Sequence, residues 1–318
     1  MTETTSNYNP SPETAKVLNW MLEEIESVPY GVTLRWAFYQ CVQKLGLVKS
    51  DYGKIKSYAA RARKEFWNGW RPDTLVDDTR TIYKAGHGFQ NIGDWLNSLR
   101  KEEAIYEVFS RQENIVIIWF EAQAMYSQFE HYTSPYRIPL APFKGDTSIR
   151  HKWDIAEYLA ELYKQYRKPI IILYFGDYEP HLDRGSRGKG ITIPLNALKD
   201  IRKWFLIHLV WMEVIDSENN EEMQRQMKEH LEALKFVRVG LNKEHIDKWR
   251  LPENPERPGE YQWESLGDEP ARELIENAIQ EYWKPGVINE TIDREERDTT
   301  KWQGIFDKFV APAIDKEE

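Results

Sequence analysis

Cysteine is almost missing from this chain: Cys41 is the single one. One thiol closes no internal disulfide and supplies no cysteine-rich zinc site. Its neighbours are apolar at helical spacing, which predicts a buried core thiol rather than a nucleophile. Long hydrophobic runs are missing too. No stretch approaches the length of a membrane span, and the polar segment Met1–Pro12 lacks the charged-then-apolar order of a secretory signal. No internal repeat is visible. A cytoplasmic protein in a reducing compartment, with no membrane contact, is the expectation.

Positive charge is also short, with 43 Lys and Arg against 52 Asp and Glu, a net charge of −9. Binding of nucleic acid through total charge is thereby excluded; any such contact must come from local basic surface. What the chain does have is 318 residues, 41% hydrophobic content and 13 tryptophans. That is enough for two modest domains or one large one, with large side chains to bury.

The first 12 residues read as a disordered tail. Val17, Leu18, Met21, Leu22 and Ile25 recur at helical spacing, and Tyr30-Gly31-Val32 breaks the run. Thr33 is a candidate N-cap for a second helix through Leu45, stopped by Gly46. Ser50 or Asp51 could cap a third helix, Tyr52 to Trp67, that carries Lys54, Lys56, Arg61, Arg63 and Lys64. Three helices with a basic third one is the order of a winged helix-turn-helix, whose last helix meets DNA. A charged face is more often simply solvated.

Beyond Arg111 the pattern changes. Ile115–Phe120 and Pro169–Phe175 are continuous apolar runs, expected of strands buried on both faces. Between them lie a short helix near Ala122–Phe129, a strand at Tyr136–Ala141 and a helix at Ile149–Tyr166. This alternation predicts a mainly parallel sheet flanked by helices. Helices are expected at Leu195–Val214, Glu221–Leu234 and Pro270–Trp283, a strand at Phe236–Leu241, and an exposed loop at Leu251–Trp263.

Acids follow two of the strands. Glu121 comes directly after the first, and Gly176-Asp177-Tyr178-Glu179-Pro180 directly after Phe175. Working residues in open α/β sheets lie beyond the carboxyl ends of strands. If the two strands are neighbours, Glu121, Asp177 and Glu179 converge, and such a cluster needs a cation to neutralise it. Oxygen ligands select a hard divalent ion, Mg²⁺ first, which suits phosphodiester chemistry. The plainer reading is of ordinary loop acids.

These residues carry a resemblance. Ile-Trp-Phe-Glu121-Ala-Gln-Ala, then Ile-Leu-Tyr-Phe-Gly-Asp177-Tyr-Glu179-Pro, is similar to the Toprim domain of the topoisomerase VI A-subunit (type IIB) family. Phe236-Val-Arg-Val-Gly-Leu-Asn and the helix from Glu269 to Tyr282 look like that family's later elements. One position departs: the family's Asp-x-Asp-Pro reads Asp177-Tyr178-Glu179-Pro180 here, and the extra methylene moves the oxygen outward. Upstream, Arg35-Trp36-Ala37-Phe38-Tyr39 matches the family's pattern of Arg, two variable residues, Phe or Tyr, then the nucleophilic Tyr.

The resemblance spans about Pro29 to Trp283. It implies an α/β protein with segments 13–110 (winged helix), 111–290 (Toprim) and 291–318 (C-terminal extension). It implies Tyr39 as nucleophile with Arg35 one turn away, and Mg²⁺ at Glu121, Asp177 and Glu179. Double-stranded DNA would be the substrate, held by the basic third helix and by Arg150, Lys152, Arg184, Arg187 and Lys189. A homodimer is implied, in which each phenol meets its partner's ion, together with a nucleoid or DNA-associated location. No ATP-binding motif is visible, so strand passage would call for a separate ATPase (B-type) subunit. The rivals are a Toprim nuclease or nickase in which water attacks, and a non-catalytic DNA- or partner-binding protein that keeps the fold.

Overall fold

The structure is a computed structural model and describes residues 8–76, 89, 91–121, 123–143, 149–179, 192–216, 219–254 and 257–314. It divides into two compact units, one formed by residues 1–80 with 114–282, the other by 81–113 with 283–318. The N-terminal helices and the α/β layers fall in one unit.

That unit begins with three helices, α1 (Pro12–Ser27), α2 (Leu34–Leu45) and α3 (Tyr52–Lys64). The Thr33 hydroxyl accepts a hydrogen bond from the Trp36 amide at 3.3 Å, the N-cap that the sequence predicts. Gly46 ends α2 at φ 71°, a left-handed conformation that favours glycine. Helix α3 ends at Lys64, three residues early, because Phe66 and Asn68 both take positive φ. The core between these helices holds Leu18, Met21, Phe38, Cys41, Ile55, Ala59, Ala62 and Trp70. Cys41 is buried there, and burial pushes its thiol up to about 12. Three helices are present as expected, and among the described residues of this region no strand forms that could serve as the expected wing.

The sheet is parallel throughout, in the order β2-β1-β3-β4, with β1 at Ile115–Phe120, β2 at Leu140–Pro142, β3 at Ile170–Phe175 and β4 at Leu234–Gly240. Every residue of β1 and β3 is buried, which accounts for their unbroken apolar sequence. Strand β2 is shorter and later than the sequence suggests. A 3-10 turn at Ser134–Tyr136 and the left-handed Arg137 occupy the start of the expected strand. The helices are α5 (Tyr126–Thr133), α6 (Ile149–Tyr166), α7 (Thr192–Trp211), α8 (Asn220–Glu232), α9 (Lys243–Trp249) and α10 (Asp268–Tyr282), while α4 (Ile92–Arg100) belongs to the second unit.

Phe120 and Phe175 are register partners on β1 and β3. Both meet Phe129 of α5 at ring separations of 5.0 Å, and Trp263 lies 5.5 Å from Phe129 and from Phe175. Trp263 shows that the segment from Leu251 is not the exposed loop expected from its Pro and Glu content. Leu251, Asn254, Glu260, Trp263 and Glu264 are all buried. Backbone bonds in both directions between Tyr178 and Tyr261, each 2.8 Å, pin it beside the end of β3.

The second unit contains α4 (Ile92–Arg100) and α11 (Pro285–Phe309), followed by the short α12 (Ala311–Ile314). The stretch expected as an extension is thus mostly helix. The Arg100 guanidinium grips Asp307 through two bonds of 2.6 and 3.0 Å, and the Trp302 indole donates to the Leu99 carbonyl.

Candidate metal centre

The acids come together as the strand order requires. Because β1 and β3 are in-register neighbours, their ends release Glu121 and Asp177 side by side. Glu121, Asp177 and Glu179 each offer a carboxylate oxygen within 4.8 Å of the others, an arrangement that could hold a metal ion. At such spacing two carboxylate charges repel by roughly 3 kcal/mol at an effective dielectric constant of about 20.

Hydrogen bonds hold Glu121 and Asp177 in place. The Asp177 amide donates to Glu121 Oε2 at 2.8 Å, and the Tyr174 hydroxyl approaches the same oxygen at 3.4 Å. Gly176 permits this: a Cβ there would fall 2.5 Å from the Tyr174 hydroxyl and 2.6 Å from Glu121 Oε2. Asp177 Oδ1 accepts from the Trp263 amide at 2.8 Å. Arg238 of β4 donates to the Asp177 carbonyl at 2.6 Å, and its positive charge partly offsets the burial of Glu121.

Burial, followed by the charges of Glu264 and Glu121, holds the Asp177 carboxyl well above the usual carboxylate range. Glu121 is raised as well, first by burial. Raised acids in mutual contact are the electrostatic condition that a cation relieves, so the residues fit a metal ion.

Two participants were not singled out from sequence. Glu264 sits in a buried 3-10 turn, Trp263–Ser265, at the end of the misread loop. Arg238 lies half-buried in β4, the edge strand beside β3, where a charge within an otherwise apolar run is the available signal.

Helix α2 docks on the same turn. Gln40 is 1% exposed and donates to the carbonyls of Glu264 at 3.2 Å and Leu266 at 3.1 Å. The Arg35 Nε lies 3.1 Å from Glu264 Oε1, and its guanidinium carbon 6.0 Å from the centre of the Tyr39 ring. Arg35 is therefore shared: it lowers the phenol's acidity barrier, yet its ion-pair partner is Glu264 rather than the phenol. Burial dominates for Tyr39 and pushes its hydroxyl up from the ordinary phenol value, with Glu264 and Asp177 adding to the rise.

The basic residues fare unequally. Lys54, Lys56, Arg61 and Lys64 are exposed on α3, with Lys54 near Asp51 at 3.7 Å and Arg61 over the Tyr8 ring at 4.8 Å. Arg63 instead spends its guanidinium on the Pro72 carbonyl. Arg150 is exposed and paired with Asp154. Lys152 does not offer the open cation that a phosphate contact needs: it is 8% exposed, 2.5 Å from Asp200, and lies over the Trp204 ring. Arg184, Arg187 and Lys189 lie outside the described residues.

No family model matches this chain, and neither does any curated protein or solved structure. Among the described residues no helix is long and apolar enough to cross a membrane.

Proposed function

We propose that this protein cleaves DNA by transesterification at Tyr39, beside a Mg²⁺ ion held by Glu121, Asp177 and Glu179. The observation that carries this reading is the clustering of three carboxylates, drawn from two strand ends, within 4.8 Å. Oxygens around an octahedral Mg²⁺ at about 2.1 Å stand ~3.0 Å apart when adjacent and ~4.2 Å when opposite. Small side-chain rotations therefore suffice to share one ion.

In this reading the Tyr39 oxygen attacks phosphorus, a new O–P bond forms, and the bond to the 3′ oxygen breaks. The phenol proton is lost and the departing sugar oxygen gains one, leaving a 5′-phosphotyrosyl link that can be resealed. When bound, the ion stabilises charge on the phosphate oxygens. Arg35 sits between Tyr39 and Glu264 and would steady the phosphate as it approaches. Double-stranded DNA as substrate, a homodimer and a separate ATPase subunit remain proposals of the family resemblance. The bonds that tie α2 to the turn of its own chain support a phenol working with its own chain's ion, rather than a partner's.

Trapping with denaturant after incubation with DNA and Mg²⁺ tests the reading. A covalent protein–DNA adduct is expected from the wild type and none from Tyr39→Phe. Mixing Tyr39→Phe with Asp177→Asn should restore no adduct; restoration would place phenol and ion on different subunits.

A second reading, hydrolysis by water at the same acids, is favoured by the burial that raises the Tyr39 phenol. Cleavage that survives Tyr39→Phe but is lost in Asp177→Asn would decide for it. Absence of calorimetric Mg²⁺ binding in both wild type and Asp177→Asn would leave only a non-catalytic binding role.

A further inference from the structure

Between α2 and the start of α3, and sharing Arg35 with the Glu264 ion pair, is a pocket of about 390 Å³ lined by Arg35, Phe38, Tyr39, Lys49, Tyr52 and Gly53. We infer that this pocket receives a single nucleotide of the DNA with its base unpaired, next to the phosphate that Tyr39 attacks. The inference deepens the cleavage reading and rests on it for the position of that phosphate.

The lining has the two chemistries that a nucleotide requires. Three of its six residues are aromatic, and Phe38 and Tyr52 meet edge to face at 5.1 Å. Phe38 is buried, so the half-buried Tyr52 ring is the surface left for a base to lie on. Base–aromatic stacking is tolerant of sequence and contributes about 1–3 kcal/mol per base. Two more lining residues are cations. Arg35 keeps 46% of its side chain exposed despite its pair with Glu264, and Lys49 is held at the rim by its 3.3 Å bond to Asn254 Oδ1. A phosphate attached to the stacked base would meet both.

The volume also fits: it lies in the range of small-molecule sites and holds one nucleotide but no base pair. A paired base has its faces covered by its stacking neighbours, so only an unpaired or extruded base can present a face to Tyr52. The other edge of the pocket points the same way. Arg35 is both a wall of the pocket and the partner of Glu264, whose neighbour Trp263 donates its amide to Asp177. A phosphate held there would lie between the phenol and the acids.

Gly53 provides a test at the pocket wall that leaves Tyr39, Arg35 and the three acids unchanged. It is exposed in the first turn of α3, and a Cβ added there meets nothing within 4 Å. Because Gly53 lines the pocket, Gly53→Leu adds bulk at its wall without a clash and improves helix propensity at the same time.

The full-length protein is titrated in EDTA with thymidine 5′-monophosphate, with thymidine and with inorganic phosphate, and binding is read by calorimetry. The monophosphate should bind at least tenfold more tightly than thymidine or phosphate alone. Gly53→Leu should weaken it at least tenfold and Lys49→Ala about fivefold, with melting temperatures confirming that both variants are folded. Equal binding of thymidine, equal binding of phosphate, binding indifferent to Gly53→Leu, or no binding of the monophosphate would each overturn the pocket. The titration contains no divalent ion, so its failure is separate from that of the cleavage reading. A missing adduct alongside intact nucleotide binding would overturn the cleavage reading alone.

Discussion

The ends of β1 and β3 and the segment from Leu251 to Leu266 both supply acids to one crevice, but by different physics. The strand ends are set by apolar runs buried on both faces, so Glu121 and Asp177 go where the sheet sends them. Among its described residues the second segment forms no strand, and individual polar contacts hold it: Tyr178 with Tyr261, the Trp263 amide with Asp177, the Trp263 indole with Gln128 at 2.8 Å, and Gln40 with two carbonyls. The sheet builds the acid cluster, and the pinned segment connects it to α2 and Tyr39. Position and coupling are thus carried by separate parts of the chain.

Substitutions can separate the two. Asp177→Asn strikes the strand end, and its cost in Mg²⁺ affinity should exceed the ~10–100-fold typical of losing an outer partner of a metal ligand, as read by calorimetry. The same variant should melt at a higher temperature than wild type in EDTA, because an uncompensated buried charge has gone.

Trp263→Ala strikes the pinned segment. It removes a fully buried indole packed on Phe129 and Phe175 and should cost about 3–5 kcal/mol in urea unfolding. Gln40→Leu is milder, at about 1–3 kcal/mol, since it leaves the Glu264 and Leu266 carbonyls without their donor. Its Mg²⁺ affinity should match the wild type; a large loss would mean that α2 shapes the acid cluster as well as adjoining it.

The smallest effect is expected in the dependence of stability on pH. Asp177 is raised in the folded state, so the folded protein holds its proton more tightly than the unfolded chain does. Metal-free stability is then greatest below the unfolded carboxylate value and falls as pH climbs through the folded one. Glu264→Gln removes one of the charges that raise Asp177, so the fall should finish at lower pH. A melting series in EDTA checks this; an unmoved profile would show that burial and Glu121 set Asp177 without Glu264.

Legibility followed the strength of the local signal. Helix α6 was read at both of its ends, and Thr33 and Gly46 were identified as the bounds of α2, because periodicity and caps act over a few residues. Strand β1 was plain from six consecutive apolar residues, whereas β2, three residues long and preceded by a 3-10 turn, was placed too early. Lys152 reads as a phosphate contact from its charge; its pairing with Asp200 depends on a contact between α6 and α7 that no local pattern announces.

By itself the sequence determined the buried strands, the helices between them and the acids at the strand ends, since burial on both faces and helical capping are written in runs of neighbouring residues. Only the tertiary structure decided that Glu264 and Arg238 join those acids, that Arg35 pairs with Glu264, and that a Pro- and Glu-rich segment turns inward. Those outcomes depend on partners up to 229 residues apart, as from Arg35 to Glu264. A hydrogen bond or ion pair over that separation leaves no periodic trace in the chain.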